Sequence, residues 1–118
     1  MQLAKPIFAP LMNRKALSIG LLLMTGSLAS GLSHAQMELA KDKHCLSCHA
    51  VDKKVVGPSY LDVAAKYNKD ALAKDRLAQK IMKGGSGVWG VIPMPANPQV
   101  NPQEAQALAA WVLQLKAP

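Results

Sequence analysis

The sequence predicts an all-α fold of about four helices with one long, proline-rich loop. In several stretches the apolar residues recur at the i, i+3, i+4 and i+7 spacing of a buried helical face. No stretch alternates apolar and polar residues as a half-buried strand would, and no Asn-Gly or Asp-Gly hairpin turn occurs. Prolines at 93, 95, 98 and 102 exclude a continuous helix through the segment 84–102.

Three predicted helices precede that loop. The first covers 37–49, and the second covers 59–67, with apolar residues at 60, 63, 64 and 67 on one face. The third covers 70–83, with Asp70 as its capping residue and a Gly-Gly pair at its end. Its inward-facing residues are expected to be Leu77, Ala78 and Ile81.

The fourth helix has the clearest start signal. Asn101-Pro102-Gln103-Glu104 combines a capping Asn, a proline at the first helical position and a Glu at the third. The inward stripe that follows is Leu108, Trp111, Val112 and Leu115. A loop as long as 84–102 in a small domain usually carries function.

The first 35 residues have a different composition from the rest. They contain three basic residues and no acid, then an apolar run over 16–29, then small residues at Ser33 and Ala35. This order is typical of a secretory signal peptide, so we expect cleavage between Ala35 and Gln36. A retained membrane anchor is the alternative, but this largely apolar run of 14 residues falls short of the roughly 20 that cross a bilayer. Met12 is a second candidate start codon.

The remaining domain, 36–118, has eleven Lys and Arg against seven Asp and Glu, a charge of +4. It has no dense basic run and no interleaved aromatic residues, which argues against nucleic-acid binding. A domain of this size buries only about 60% of the surface of its unfolded chain. We therefore expect something other than side chains to fill its centre.

The chemistry lies in Cys45-Leu46-Ser47-Cys48-His49, the C-x-x-C-H pattern of c-type haem attachment. Residues i, i+3 and i+4 share one face of a helical turn. Cys45 and Cys48 can then bond two vinyl groups at one edge of the porphyrin, while His49 offers its imidazole to iron. Both cysteines of an exported chain fall in this motif, which strengthens the prediction.

Three other interpretations of the motif stay open. One is the redox disulfide of a thioredoxin-like protein, which would need a βαβ setting. Another is a zinc ion held by His44, Cys45, Cys48 and His49, although ligands so close in sequence cannot readily surround a tetrahedral ion. The third is a structural disulfide without a cofactor.

A sixth iron ligand is expected from methionine. Met37 lies near the start of the domain, and Met82 lies inside the third helix, where methionine commonly fills the core. Met94 lies between two prolines in the long loop, which stiffen the backbone around a soft thioether. We therefore predict that Met94 is the second axial ligand.

Over 38–116 the chain resembles the small bacterial class I cytochromes c of the c-551/c-552 type. The matching stretches are CLSCH, VVGPSYLDVAAKY, KGGSGVWGVIPMPAN and EAQALAAWVLQLK. The resemblance implies a class I cytochrome c fold around one covalent haem c. It also implies thioether bonds at Cys45 and Cys48 and axial ligation by His49 and Met94.

The resemblance also implies four supporting residues. Through its carbonyl, Pro58 would accept a hydrogen bond from the His49 ring, which fixes the tautomer. Trp89 would donate its indole N–H to a haem propionate, and Lys80 would assist at a propionate. Asn97 would place its amide on the methionine sulfur.

Two positions depart from the family pattern. His44 stands where Gly, Lys or Pro is expected, and Ala96 replaces the proline that often follows Pro-Met-Pro.

The implied function is a periplasmic, monomeric single-haem electron carrier, not an enzyme, that cycles between Fe(II) and Fe(III). Its partners would be periplasmic or membrane-bound redox proteins, such as a nitrite reductase or a terminal oxidase, with no nucleic acid and no membrane span after signal cleavage. The expected docking patch is Leu46, Val55, Val91, Ile92, Pro93 and Ala96. The lysines expected to rim it are Lys41, Lys43, Lys53, Lys54 and Lys83.

Two other functions stay open. A labile Met94 would make the protein a gas sensor or a peroxide-reactive enzyme, for which Glu104 and His44 are the nearest acid–base candidates. The second alternative is a haem-binding subunit that acts only inside a larger complex.

Overall fold

The structure is a computed structural model that describes residues 28–118; residues 1–27, most of the predicted signal peptide, lie outside the described part. The elements in chain order are α1 (Leu28–Asp42), a short 3-10 turn (Cys45–Ser47), α2 (Tyr60–Tyr67), α3 (Ala73–Lys83) and α4 (Pro102–Gln114). Within residues 28–118 no strand forms, and only two isolated bridges occur, His49 with Lys54 and Gly85 with Met94. The predicted all-α class with four helices is confirmed.

The first helix differs from the predicted 37–49. It ends at Asp42, and His44 then adopts a left-handed conformation with φ of 63° before the 3-10 turn begins. A non-glycine residue in this region interrupts a right-handed helix. The motif therefore occupies a separate turn. The predicted cleavage site, between Ala35 and Gln36, lies within α1, and the domain boundary stays a prediction.

The second helix begins with a side-chain cap, whereas the third does not. Ser59 accepts the N–H of Asp62 at 3.0 Å, an ordinary N-cap. Asp70 does not cap α3 directly, because its carboxylate accepts from Leu72 N–H at 2.9 Å and forms a turn ahead of the helix. This local bond delays the start of α3 to Ala73.

The fourth helix begins as predicted. Asn101 Oδ1 accepts the N–H of Glu104 at 2.9 Å, and the Glu104 carboxylate accepts the N–H of Asn101 at 3.0 Å. This reciprocal pair is a capping box, with Pro102 at the first helical position.

The core lies where α4 packs against the other three helices. Tyr60 of α2 meets Trp111 of α4 edge to face, with ring centroids 5.3 Å apart. Within residues 31–118, half of the buried apolar residues are alanines: Ala40, Ala64, Ala73, Ala78, Ala105 and Ala109. Among the described residues none of the larger side chains is fully buried. Such a thin core supports the expectation that a cofactor fills the centre.

None of the helices in residues 28–118 is long and apolar enough to cross a bilayer.

Candidate functional site

One cavity of about 540 Å³ gathers most of the predicted site residues. The predicted residues on its wall are Cys48, His49, Pro58, Lys80, Trp89 and Met94. Cys45 and Asn97 do not line it. Apolar side chains complete the wall, among them Val56, Val63, Val91 and Ile92.

The imidazole of His49 is held by a hydrogen bond from Nδ1 to the carbonyl oxygen of Pro58 at 2.7 Å. A carbonyl oxygen only accepts, so Nδ1 carries the proton and Nε2 of the neutral ring keeps its lone pair. The ring also stacks on Tyr60, with centroids 5.3 Å apart and planes inclined by 21°. His49 is thus oriented as a nitrogen ligand whose free nitrogen is Nε2.

Gly57 is a site residue that the sequence did not identify. A Cβ at this position would lie 2.5 Å from Cε1 and 2.9 Å from Nδ1 of His49. Its N–H also donates to the carbonyl of Cys48 at 2.8 Å. The sequence marked the Gly-Pro pair only as a loop, because the close approach of the ring is a tertiary contact.

The two motif cysteines have different surroundings. Cys48 lines the cavity, whereas Cys45 is half-buried against the hydrophobic core. Burial raises the pKa of the Cys45 thiol. The turn is closed by the N–H groups of Cys48 and His49, which both donate to the Cys45 carbonyl at 3.1 and 3.0 Å.

The two cysteines do not form a disulfide. Within residues 28–118 no group of three or more His, Cys, Asp or Glu side chains is arranged to hold a metal ion. The zinc and disulfide interpretations therefore find no support in the geometry.

Met94 is fixed through its backbone. Its N–H and carbonyl exchange two hydrogen bonds with Gly85, each 2.9 Å long. Gly84 has φ of 70°, and a Cβ there would collide with the carbonyl oxygen of Met94. The sequence assigned this role to the flanking prolines alone, and the structure adds the glycine pair at the end of α3.

Asn97 anchors the loop from the other side of Met94. Its side-chain N–H groups donate to the carbonyls of Ile81 at 2.8 Å and Pro95 at 3.2 Å. Both amide hydrogens are therefore engaged by carbonyls, so a bond to the methionine sulfur would require one of them to change partner.

Lys80 and Trp89, the two residues expected at the haem propionates, both lie on the cavity wall. A Cβ on Gly85 would lie 2.7 Å from Lys80 Nζ, so the glycine makes room for this ammonium group. Trp89 is 43% exposed, and Lys66 Nζ of α2 lies 5.3 Å from its ring centroid. This cation–π contact holds the indole against α2.

The expected docking residues fall into two groups by solvent exposure. Val91 and Ile92 are 92% and 64% exposed, and Val55, Pro93 and Ala96 are also exposed. Leu46 packs against the core.

Among the rim lysines, Lys43 is not a solvated side chain. Its Nζ pairs with Glu104 Oε2 at 2.9 Å and donates to the Gln99 carbonyl at 2.9 Å. Glu104 is thereby engaged in the ion pair and in the capping box, not available as an acid–base group of the site.

The sequence profile of the cytochrome c family matches residues 34–116. The chain belongs to the cytochrome c family. It is 47% identical over 98 residues to cytochrome c-552 of Nitrosomonas europaea, and the matched region covers 83% of this chain and 95% of that protein. It is 54% identical over 97 residues to cytochrome c-551 of Pseudomonas aeruginosa, which spans 80% of this chain and 92% of that protein.

Solved cytochrome structures have the same fold. The crystal structure of Nitrosomonas europaea cytochrome c552 superposes with a TM-score of 0.67 at 52% identity and covers 68% of this chain and 99% of that one. The class 1 cytochrome MtoD of Sideroxydans lithotrophicus gives a TM-score of 0.59 at 31% identity and covers 68% and 91%. The class I cytochrome c fold is confirmed.

This cytochrome c is thus a small electron-transfer protein and not an enzyme. Its cofactor is covalent haem c, and Cys45 and Cys48 are the two cysteines in the arrangement that this attachment requires. The cavity fits the group, since it offers a free imidazole nitrogen, a thioether residue and apolar walls in one space. The comparisons give no support to the gas-sensor or peroxide-enzyme alternative.

Proposed function

We propose that this protein is a periplasmic one-electron carrier whose haem iron is ligated by His49 and Met94. The observation that carries the proposal is that both residues line one cavity and that each is held there by separate backbone bonds. When bound, the haem supplies one-electron chemistry of its iron between Fe(II) and Fe(III).

His49 contributes a preset ligand nitrogen. The Pro58 carbonyl keeps the proton on Nδ1, and Tyr60 stacks on the ring from α2. A ligand that is already oriented changes little when the iron changes charge. The hydrogen bond also makes the imidazole more basic toward iron.

Met94 contributes the second ligand. The two backbone hydrogen bonds with Gly85 and the hydrogen bonds of Asn97 fix the backbone on both sides of this residue. If His49 and Met94 both hold the iron, no ligand position would remain for a substrate, which suits electron transfer. A Met/His pair raises the reduction potential relative to other ligand sets.

Lys80 and Trp89 are proposed to hold the haem propionates. The resemblance implies that Lys80 supplies an ammonium group and Trp89 an indole N–H donor. Both residues lie on the cavity wall. An ammonium and an indole N–H both favour a carboxylate partner.

Docking is proposed at the exposed apolar residues beside the ligand loop, chiefly Val91 and Ile92. Exposed lysines near the site, such as Lys53, Lys54 and Lys83, would steer an acidic redox partner. Such a patch suits brief contact at the haem edge. We propose that a monomer exported by the predicted signal peptide serves periplasmic or membrane-bound enzymes of the nitrite reductase or terminal oxidase class.

An absorption spectrum tests the ligand set. The protein is expressed with its N-terminal segment in a host that matures c-type haem, and spectra are recorded oxidised, reduced, and reduced under CO. We expect a covalent low-spin haem with a sulfur-to-iron band in the oxidised state and a reduced spectrum that CO leaves unchanged while the scan is recorded. A five-coordinate, CO-sensitive spectrum would contradict ligation by Met94.

Export is tested separately. Fractionation of the expressing cells should recover the holoprotein in the periplasm, and its mass should correspond to a chain that begins at Gln36. Recovery of the uncleaved chain in the membrane fraction would show that the N-terminal segment is a retained anchor.

A further inference from the structure

The segment 85–97 carries Met94 and is called the methionine loop here. Asn97 connects this loop to the rest of the protein by hydrogen bonds. Its side chain donates to Ile81 O at the end of α3 and to Pro95 O, directly after Met94. Its own N–H donates to Met82 O at 3.1 Å. The position of Asn97 therefore sets the position of the backbone that carries the methionine.

A second residue, Gln99, holds Asn97 in turn. Gln99 Nε2 donates to Asn97 Oδ1 at 3.1 Å and to the carbonyl of Lys43 at 3.3 Å. Lys43 lies two residues before Cys45. The carboxamide of Gln99 thus spans the space between the haem-attachment turn and the methionine loop.

Lys43 returns the contact. Its Nζ donates to the Gln99 carbonyl at 2.9 Å and pairs with Glu104 Oε2 at 2.9 Å. The side chains of Lys43 and Glu104 are only 22% and 26% exposed. Glu104 is itself fixed by the capping box of α4. The Lys43 ammonium is therefore held between Gln99 and Glu104 in a hydrogen-bond network that is partly shielded from solvent.

We propose, resting on the proposed ligation by Met94, that Lys43 and Gln99 are positioning residues that hold the methionine loop closed through Asn97. The link joins residues 56 positions apart in the chain. It sets the attachment turn and the methionine loop at a fixed separation. When this link breaks, the side-chain oxygen Oδ1 of Asn97 loses the hydrogen bond from Gln99, and the methionine loop opens more often.

The test uses Gln99→Leu and Lys43→Met in the holoprotein. Gln99→Leu removes only the two Nε2 bonds, and Lys43→Met removes the ammonium while keeping an apolar stem. The matched control is Lys41→Met, two residues earlier at the end of α1, where the lysine is 69% exposed and its partner Glu38 is 3.9 Å away. The readouts are the sulfur-to-iron band of the oxidised protein against temperature and the rate at which the reduced protein captures CO.

We expect both variants to weaken the band well below the unfolding temperature. CO capture should accelerate roughly threefold to tenfold, as expected when one or two ordinary hydrogen bonds no longer hold a closed state. The control should behave as wild type. Gln99→Glu keeps the side-chain length but replaces the amide donor with a carboxylate, which cannot donate to Asn97 Oδ1 or to the Lys43 carbonyl. It should give the same direction if Gln99→Leu does not fold.

Two results would overturn the inference alone. In the first, the variants unfold more easily but keep the wild-type band and CO rate until they unfold, which makes the network purely structural. In the second, Lys43→Met changes the readouts and both Gln99 variants do not, which removes the route through Gln99. Absence of the band in the wild-type protein would instead overturn ligation by Met94, and this inference with it.

Discussion

The backbone of Gly57 lies directly against the imidazole of His49. A Cβ at Gly57 would be 2.5 Å from Cε1 of the ring, closer than a carbon atom can approach without displacement. The next residue, Pro58, accepts the ring's Nδ1–H at 2.7 Å. Two consecutive residues thus fix the histidine, one by leaving space and the other by accepting a hydrogen bond.

Gly57→Ala should therefore displace the His49 ring. Overpacking of this kind typically costs about 1–3 kcal/mol of unfolding free energy. The ligand would also lose its alignment with Pro58, so we expect an altered iron spectrum. Chemical denaturation followed by circular dichroism gives the stability, and the reduced absorption spectrum reports the ligand.

Ala78→Val is the control for that change. Ala78 of α3 is fully buried in the hydrophobic core and does not line the cavity, so valine overpacks the core away from the His49 site. Its stability should fall while its iron spectrum stays that of wild type. Wild-type stability and spectrum in Gly57→Ala would show that the glycine does not confine the ring.

Met94→Ala should leave haem attached and open the iron to CO. Loss of the thioether should also lower the reduction potential, by on the order of 0.1 V, since axial ligands set haem potentials over a span of about 0.8 V. CO titration of the reduced protein and a redox titration check both effects. Met82→Leu, a volume-conserving change at the end of α3, should alter neither, and a wild-type spectrum in Met94→Ala would refute the assignment.

The protein should lose stability in acid as the Glu104 carboxylate becomes protonated. The hydrogen bond from Lys43 holds the pKa of this carboxyl below its ordinary value of 4.5. The unfolded chain then binds the proton at higher pH than the folded chain, so the contribution is complete above 4.5 and is lost as pH falls through the lower folded pKa.

Unfolding temperatures of wild type and Glu104→Gln, measured from roughly pH 3 to 6, check this. The gap between the two proteins should narrow as the pH falls. Glu38→Gln removes the same charge from an exposed site on α1 and serves as the reference. A gap that stays constant over the whole interval would show that the ion pair does not contribute through this ionisation.

Cys45→Ala with Cys48→Ala should prevent stable holoprotein. The helices are held by an alanine-rich core, and none of the larger side chains among the described residues is fully buried. Far-ultraviolet circular dichroism and haem staining of the purified variant check the result. A well-folded, helical and haem-free protein would contradict the view that the cofactor completes the core.

Local sequence signals predicted most of the helices. The capping box of α4 involves only Asn101 and Glu104, three positions apart, so it can be recognised in the sequence and forms as expected. The apolar spacing of α2 likewise predicted the buried Tyr60, Val63 and Ala64. The prediction for the first helix, 37–49, was wrong at both ends, because α1 covers Leu28–Asp42. Its early end follows from the left-handed conformation of His44, which the residue type does not signal.

By itself the sequence determined the chemistry: a haem-attachment pentamer, a methionine between prolines and a helical fold of the cytochrome c family. Each of these depends on residues close together in the chain. Only the tertiary structure decided what surrounds them: Gly57 against His49, Gly85 paired with Met94, and Lys43 joined to Gln99. The last of these contacts spans 56 positions of the chain, and whether such groups meet depends on how the helices pack.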